Sequence, residues 1–166
     1  FIIRFRVVLL RDTGAPLAPF NAWQIIQGLE TVGLRMKQHC ANAEKVVTFL
    51  ETQKKVKNVI FPTNHQGEIK ERAKKYLQGG NGALVGADLG TAEAGAKFID
   101  NLKMLYHVAN IGDARSLAIH PATTTHSQLS EKELLAAGVT PGYVRLSIGI
   151  EHPDDIIADI KQALAA

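Results

Sequence analysis

The chain has 166 residues, with 19 Lys and Arg against 16 Asp and Glu, so its formal net charge is +3. This length is typical of about one domain, and 46% hydrophobic residues exclude a disordered chain. The charge is too small to indicate nucleic-acid binding, and the single cysteine, Cys40, excludes a disulfide scaffold. No apolar run reaches the about 18–20 residues that a membrane span requires. We therefore expect neither a nucleic-acid nor a membrane partner.

The first ten residues, Phe1 to Leu10, are rich in β-branched and aromatic side chains. Arg4 and Arg6 interrupt what would be the continuous apolar core of a signal peptide. The composition favours a β-strand or an extended connector. With no secretion signal and one cysteine, we expect a cytoplasmic protein. Because the first residue is Phe1 and not Met, we also expect a piece of a longer protein.

After this segment, the spacing of apolar residues predicts mixed secondary structure. Helical periodicity from Phe20 to about Leu50 predicts one helix of about thirty residues, beginning near Pro19. Short strands are predicted over Val56–Phe61, Gly82–Leu89, Met104–Ala109, Ser116–Ile119 and Tyr143–Ile150. Helices are predicted over Glu68–Leu77, Thr91–Leu102, from the Ser130/Glu133 capping box to Gly138, and over His152–Leu164.

The order of these elements predicts an α+β fold. Four or five short strands are interspersed with helices, and no long series of parallel β-α units is present. We expect a mostly antiparallel sheet that is covered by helices.

Two motifs resemble ligand sites but favour a structural explanation. The glycines from Gly79 to Gly82, with Gly86, precede a predicted strand, whereas a dinucleotide loop follows one, so a helix end and a turn are favoured. His120 and His126 flank three threonines but have no cysteine nearby, which makes a poor zinc site. We expect no metal there. The threonine hydroxyls are suited to a polar ligand, although local capping explains them more simply.

Two further features are expected to be structural. The basic segment Lys70–Lys75 is diluted by acidic neighbours and has few aromatic side chains for stacking on bases, so a solvated surface is favoured over RNA binding. Cys40 lies in the predicted long helix and is better explained as a packed thiol than as a nucleophile.

Arg145 lies within the apolar strand Tyr143–Ile150. Burying a guanidinium is costly unless an anion pairs with it. Glu151 or another carboxylate of the chain would satisfy this need, and the pattern alone favours that structural explanation. The functional alternative is that the planar fork of Arg145 binds a substrate carboxylate through two parallel hydrogen bonds.

Beyond these patterns, the chain resembles a known family along almost its whole length. The first similar block comprises Leu10–Ala15, Pro19–Ala22, Gly28–Thr31, Leu34–Met36 and His39–Ala43. The second comprises Asn110–Leu117, His120–Ala122, Thr125–Ser127 and Val144–Glu151. These motifs resemble the Cys/Met-metabolism family of pyridoxal-phosphate (PLP) enzymes. Within it, Thr125–Glu131 and Ala136–Pro141 are most similar to members that act on O-acetylhomoserine.

The resemblance implies a PLP-dependent γ-replacement that forms homocysteine or methionine from O-acetyl-L-homoserine and sulfide or methanethiol. It implies that residues 1–55 are a connector and linking helix, and residues 56–166 a small C-terminal domain. The Schiff-base lysine and the cofactor-binding large domain would lie outside this chain, which would hold no catalytic residue and be inactive alone. The resemblance also implies a homo-oligomer, a tetramer by analogy with relatives.

The resemblance further implies roles for four residues. Arg145 matches the arginine that binds the substrate α-carboxylate, which reverses the preference stated above. Asn110 stands where many relatives have serine beside that carboxylate, Ile111 would offer backbone groups, and Thr125 would shape the nearby loop. Two alternatives remain open: another member of the family, such as methionine γ-lyase or cystathionine γ-synthase, and a non-enzymatic α+β interaction module.

Overall fold

The structure is a computed structural model that describes all residues from 1 to 166. The chain divides into two compact units, Phe1–Leu34 and Arg35–Ala166. None of its helices combines the length and the apolar character needed to cross a membrane. The division into residues 1–55 and 56–166 stays a prediction.

The first unit is helical, so the prediction of a strand or extended connector at its start was wrong. Helix α1 (Ile2–Arg4) is followed by a π-helical segment (Phe5–Leu10) and by α2 (Arg11–Thr13). Gly14 ends this run with a left-handed φ of 64°. The physical reason is that a helix pairs its backbone groups locally, whereas a strand needs a neighbour. The preference of Ile and Val for strands depends on that context.

The single long helix predicted from Phe20 to Leu50 is instead two helices. Helix α3 (Pro19–Glu30) begins with Pro19 in its first turn, as expected, and α4 comprises Val32–Glu51. Thr31 separates them with a φ of −107° and a ψ of 2°. Thr31 is β-branched, and nearby glycines at 28 and 33 are weak helix formers, so the helix is least stable at this point. A one-residue break preserves most of the apolar spacing, which therefore did not reveal it.

The second unit contains a five-stranded sheet in the order β1-β2-β5-β4-β3. The strands are β1 (Asn58–Ile60), β2 (Leu84–Asp88), β3 (Tyr106–His107), β4 (Leu117–Ile119) and β5 (Tyr143–Ser147). All neighbouring pairs are antiparallel except β3 and β4. The predicted α+β fold with a mostly antiparallel sheet is confirmed, although every strand is shorter than the apolar pattern suggested.

The remaining helices lie where the sequence predicts them. They are α5 (Gly67–Tyr76), α6 (Ala92–Asn101), α7 (Glu131–Ala136) and α8 (Pro153–Ala165), with 3-10 turns at Pro62–Asn64 and Pro121–Thr123. Thr91 caps α6 by accepting a hydrogen bond from the Ala94 N–H at 3.1 Å. The capping box of α7 is present, since the Ser130 N–H donates to Glu133 Oε2 at 2.8 Å. These caps satisfy backbone donors that a helix start leaves unpaired.

The core lies between the sheet and helices α4, α6 and α8. In β5, Val144 and Leu146 are fully buried and belong to the same apolar cluster as Val46 of α4 and Ile160 of α8. The alternate residues Tyr143 and Arg145 are only partly buried. Because successive side chains of a strand point to opposite faces, Tyr143 and Arg145 lie on the face of the sheet away from these helices.

The basic segment and Cys40 both make contacts within the chain. Arg72 pairs with Glu68 and Lys74 with Glu71 on the exposed surface of α5. The hydrogen bond from Lys74 holds the pKa of Glu71 below its ordinary value. The Cys40 thiol is partly buried and packs against Gly80, where a Cβ atom would lie 2.7 Å from Sγ. This glycine segment is a turn between α5 and β2.

Candidate functional site

Arg145 lies at the centre of the sheet, where β5 is paired on both sides. Its register partners are Gly86 on β2 and Ile119 on β4. The guanidinium Nη2 donates to the backbone carbonyl oxygen of Asn110 at 3.4 Å. Its Nε is buried and has no hydrogen-bond partner. A buried donor without an acceptor is costly, so the fork of Arg145 is suited to an anion from outside the chain.

No carboxylate of the chain neutralises Arg145. Its guanidinium forms no ion pair within 4.0 Å. Glu151, the partner that the structural explanation required, instead accepts hydrogen bonds from the Ser116 N–H at 2.6 Å and the Ser116 hydroxyl at 2.9 Å. The pairing of Arg145 with Glu151 is therefore wrong, which favours the functional alternative.

A small cavity of about 200 Å³ adjoins Arg145 on the side of β1 and β2. It is lined by Ile60, Phe61, Pro62, His65, Leu84, Val85, Gly86, Tyr143 and Arg145. The Tyr143 ring packs over Gly86, so that a Cβ atom there would lie 2.6 Å from its Cε2. Burial raises the pKa of Tyr143, and the nearby charge of Arg145 opposes this rise. A tyrosine that lies beside the guanidinium thus limits the space around it.

Asn110 and Ile111 lie in the exposed segment between β3 and β4. Asn110 contacts Arg145 through its backbone carbonyl and not through its side chain. The side-chain Oδ1 instead accepts a hydrogen bond from the Ile111 N–H at 2.9 Å. The structure therefore brings Asn110 to Arg145, and it places Ile111 next in the chain with 60% of its surface exposed.

Thr125, His120 and His126 belong to the segment that follows β4. Thr125 is exposed, and its hydroxyl lies 2.8 Å from His126 Nδ1. No hydrogen bond connects Thr125 to Arg145 or Asn110, so its role in the site stays a prediction. His120 is buried, with Nε2 2.7 Å from the Pro141 carbonyl and Nδ1 3.0 Å from the Thr123 hydroxyl. No group of three His, Cys, Asp or Glu residues is arranged to bind a metal.

Sequence reasoning missed two residues of the site, Tyr143 and Gly86. A signal for Tyr143 was present, because residues two apart on a strand share a face and Tyr143 is two residues before Arg145. Gly86 had no such signal, since its position opposite Arg145 depends on the register between β2 and β5.

Together, the fold and the site define an α+β domain with an arginine on one face of its sheet whose buried Nε has no partner within the chain. The chain belongs to the family described as Cys/Met metabolism PLP-dependent enzyme, which matches residues 4–165. The resemblance inferred from the sequence motifs is thus confirmed.

Two curated relatives and one solved structure illustrate the similarity. The chain is 51% identical to the O-acetyl-L-homoserine sulfhydrylase of Leptospira meyeri over 166 residues, which are 99% of this chain and 38% of that protein. It is 42% identical over 174 residues to the homocysteine/cysteine synthase of Saccharomyces cerevisiae, covering 98% of this chain and 39% of that protein. A Campylobacter jejuni crystal structure, described as an O-acetylhomoserine (thiol)-lyase with N'-pyridoxyl-lysine-5'-monophosphate, matches with a TM-score of 0.91 and 45% identity.

These matches cover only part of each relative. The alignment with the Campylobacter protein includes 99% of this chain and 39% of that one. The chain thus spans less than half the length of the curated relatives that it matches.

The residues around Arg145 fit a carboxylate and do not fit PLP itself. The cavity beside Arg145 is lined by His65 and Tyr143 among apolar groups, and no lysine contributes to it. A Schiff base with an aldehyde cofactor requires an amine at that point. These side chains are therefore suited to an anionic group of a ligand, and they lack the amine that would join to the cofactor.

Proposed function

We propose that this chain provides the substrate-carboxylate site of a PLP-dependent transferase. The reaction is a γ-replacement that forms homocysteine from O-acetyl-L-homoserine and sulfide, or methionine when the thiol is methanethiol. The observation that carries the proposal is the buried Nε of Arg145, which no group of the chain satisfies.

The first step of the argument concerns charge. An arginine in a sheet with no acidic partner keeps its full positive charge in a partly desolvated place. The α-carboxylate of an amino acid matches the guanidinium fork, because two parallel hydrogen bonds fix both its position and its plane. A lysine in the same position would offer a point charge without that planarity.

The second step concerns orientation. When bound, PLP supplies an electron sink for bond breaking at the substrate Cα. The contribution of Arg145 is to hold the carboxylate so that the substrate is presented in one orientation. The carbonyl of Asn110 keeps one end of the guanidinium in place. Ile111 and Thr125 are proposed to complete the rim of the site.

The choice of substrate is supported by the names of the relatives. The relatives include an O-acetyl-L-homoserine sulfhydrylase, a homocysteine/cysteine synthase and an O-acetylhomoserine (thiol)-lyase. Methionine γ-lyase and cystathionine γ-synthase chemistry are less well supported. A non-enzymatic interaction module is disfavoured, since family similarity covers residues 4–165.

Three properties of the whole protein complete the proposal. The cofactor lysine belongs to a large domain outside these 166 residues, and the chain itself comprises a proposed linking segment (1–55) and a proposed small domain (56–166). The protein is a homo-oligomer, and a tetramer by family resemblance. It acts in the cytoplasm.

The experiment is a kinetic comparison on the complete gene product loaded with PLP. Sulfide is supplied with O-acetylhomoserine or O-succinylhomoserine, and methionine elimination and cystathionine formation are assayed in parallel. We expect the largest kcat/KM with O-acetylhomoserine and sulfide. A larger value for elimination or for cystathionine formation would assign the protein to another branch of the family.

Substitution of Arg145 tests the site itself. Arg145→Ala should lower kcat/KM by about 1.5 to 3.5 decades, because losing a charge-assisted pair costs about 2–5 kcal/mol. Arg145→Lys should recover little of the lost kcat/KM, and both variants should bind as much PLP as the unsubstituted enzyme. Arg72→Ala, on the exposed surface of α5, is the matched control. Near-normal kcat/KM in a folded Arg145→Ala enzyme would refute the carboxylate site.

A further inference from the structure

A buried polar cluster lies where the chain leaves β5. The Glu151 carboxylate accepts from both the N–H and the hydroxyl of Ser116, at 2.6 and 2.9 Å. The Ser116 hydroxyl oxygen in turn accepts from the Gly149 N–H at 2.8 Å. Hydrogen bonds to a charged acceptor are stronger than those between neutral groups. The start of β4 is thereby connected to the end of β5 through one carboxylate.

Helix α4 supports this cluster from the other side. The fully buried Asn42 donates from Nδ2 to the carbonyl oxygens of Gly149 and Glu151, at 3.0 and 2.8 Å. His39 is also buried, and its Nδ1 lies 2.6 Å from the Ile148 carbonyl oxygen. Because both side chains hold backbone groups, the position of Glu151 is determined by the core and not by a mobile loop.

The cluster leaves no space for rearrangement. The Ile150 N–H donates to the Ala114 carbonyl at 2.9 Å, next to Ser116. A Cβ atom on Gly149 would lie 2.5 Å from that Ala114 oxygen and would also overlap Glu151 Oε2. Only glycine therefore allows the two segments to approach this closely.

The same connection holds one end of the segment that contacts Arg145. The only hydrogen bond of its guanidinium within the chain goes to the Asn110 carbonyl, and Asn110 lies on the exposed segment that ends at Ser116. That segment has no regular structure between β3 and β4, and its attachment at Ser116 holds the end that follows Asn110.

We propose that Glu151 is a positioning residue for the carboxylate site of Arg145. It acts through Ser116, whose N–H and hydroxyl it holds, and it thereby holds the end of the segment that carries Asn110. This inference rests on the proposed function, because it assigns a role toward the amino-acid substrate.

The test compares Glu151→Gln with Arg145→Lys and with the double variant in the complete, PLP-loaded gene product. The readouts are KM, kcat, bound PLP and the competitive inhibition constant of butyrate, a carboxylate without an amino group. We expect Glu151→Gln to raise KM and the inhibition constant of butyrate about tenfold. This change corresponds to the loss of about one charge-assisted hydrogen bond. We expect kcat to change less than about twofold and the two substitutions to be non-additive, because both act on the same guanidinium.

The chain offers a matched control in Glu133→Gln. Glu133 accepts from the N–H and hydroxyl of Ser130, at 2.8 and 2.7 Å, which is the same chemistry on α7 without a contact to Arg145. The KM and the butyrate inhibition constant of the Glu133→Gln enzyme should be unchanged.

Each other outcome has a distinct meaning. Unchanged KM in a folded Glu151→Gln enzyme, or a parallel loss of kcat, bound PLP and thermal stability, would overturn the positioning role. If Arg145→Lys itself left KM and the butyrate constant unchanged, the proposed function would fail instead, independently of the result for Glu151.

Discussion

The two faces of the sheet perform different tasks, and the same strand supplies both. On the covered face, Val144, Leu146 and Ile148 have no exposed surface and pack in the core. On the opposite face, Tyr143 and Arg145 are half-buried, and a buried Nε has no partner. The two sets of residues are separated because successive side chains of a strand point to opposite faces of the sheet. Stability and the proposed carboxylate binding thus depend on alternate residues, so that substitutions can affect one property and spare the other.

The largest expected effect is on the covered face. Leu146→Ala removes a fully buried side chain and should lower the free energy of unfolding by about 2–5 kcal/mol, as measured by urea denaturation. Leu84→Ala is the control, because Leu84 lies on the opposite face with 39% of its surface exposed; it should cost less than about 1 kcal/mol. Equal costs would contradict the division between the two faces.

A smaller effect is expected at Asp159, which α8 contributes to the edge of the core. Burial acts to raise its pKa, but the backbone N–H groups of Leu105, Lys103 and Met104, together with Gln162, outweigh burial and hold the pKa below its ordinary value of 3.8. The ionised carboxylate therefore stabilises the fold at pH values above the ordinary pKa of 3.8. This stabilisation is lost as the pH falls through the lowered pKa of the folded state.

Asp159→Asn tests this pH dependence. At neutral pH the variant should be less stable by about 1–3 kcal/mol, since hydrogen bonds to a charged acceptor are replaced by weaker ones. The difference from the unsubstituted protein should shrink as the pH is lowered below 3.8. Denaturation curves across pH measure it, with exposed Asp100→Asn as the control. A difference that stays constant with pH would contradict the role of the charge.

The smallest effect concerns Tyr143 on the open face. Burial raises its pKa, and Arg145 partly offsets the rise. Arg145→Ala should therefore raise the pKa of Tyr143 further, whereas Arg72→Ala should leave it unchanged. Titration followed by NMR of ¹³C-labelled tyrosine measures the shift. A fall in the pKa after Arg145→Ala would show that the guanidinium does not face the phenol.

Much of the fold followed from patterns that act locally. The strand and helix positions of the second unit agree with apolar periodicity, and Thr91 and Ser130 cap α6 and α7 as their residue types predict. The helical form of Phe1–Leu10 was missed, because β-branched residues favour strands only when a neighbouring strand is available. The break at Thr31 was missed because one extra residue hardly disturbs the periodicity.

The sequence by itself determined the class of fold and the family, and it led to the hypothesis about Arg145. Each depends on residue types and on spacing along the chain. Only the tertiary structure decided the partners of Arg145 and Glu151. A charged strand residue and a nearby carboxylate predict an ion pair from proximity in sequence, yet Glu151 binds Ser116, 35 residues away, and Arg145 contacts Asn110, also 35 residues away. Hydrogen bonds are directional and short-ranged. Which acceptor a donor reaches therefore depends on the strand register and on the path of the chain after β5, and only the tertiary structure shows these.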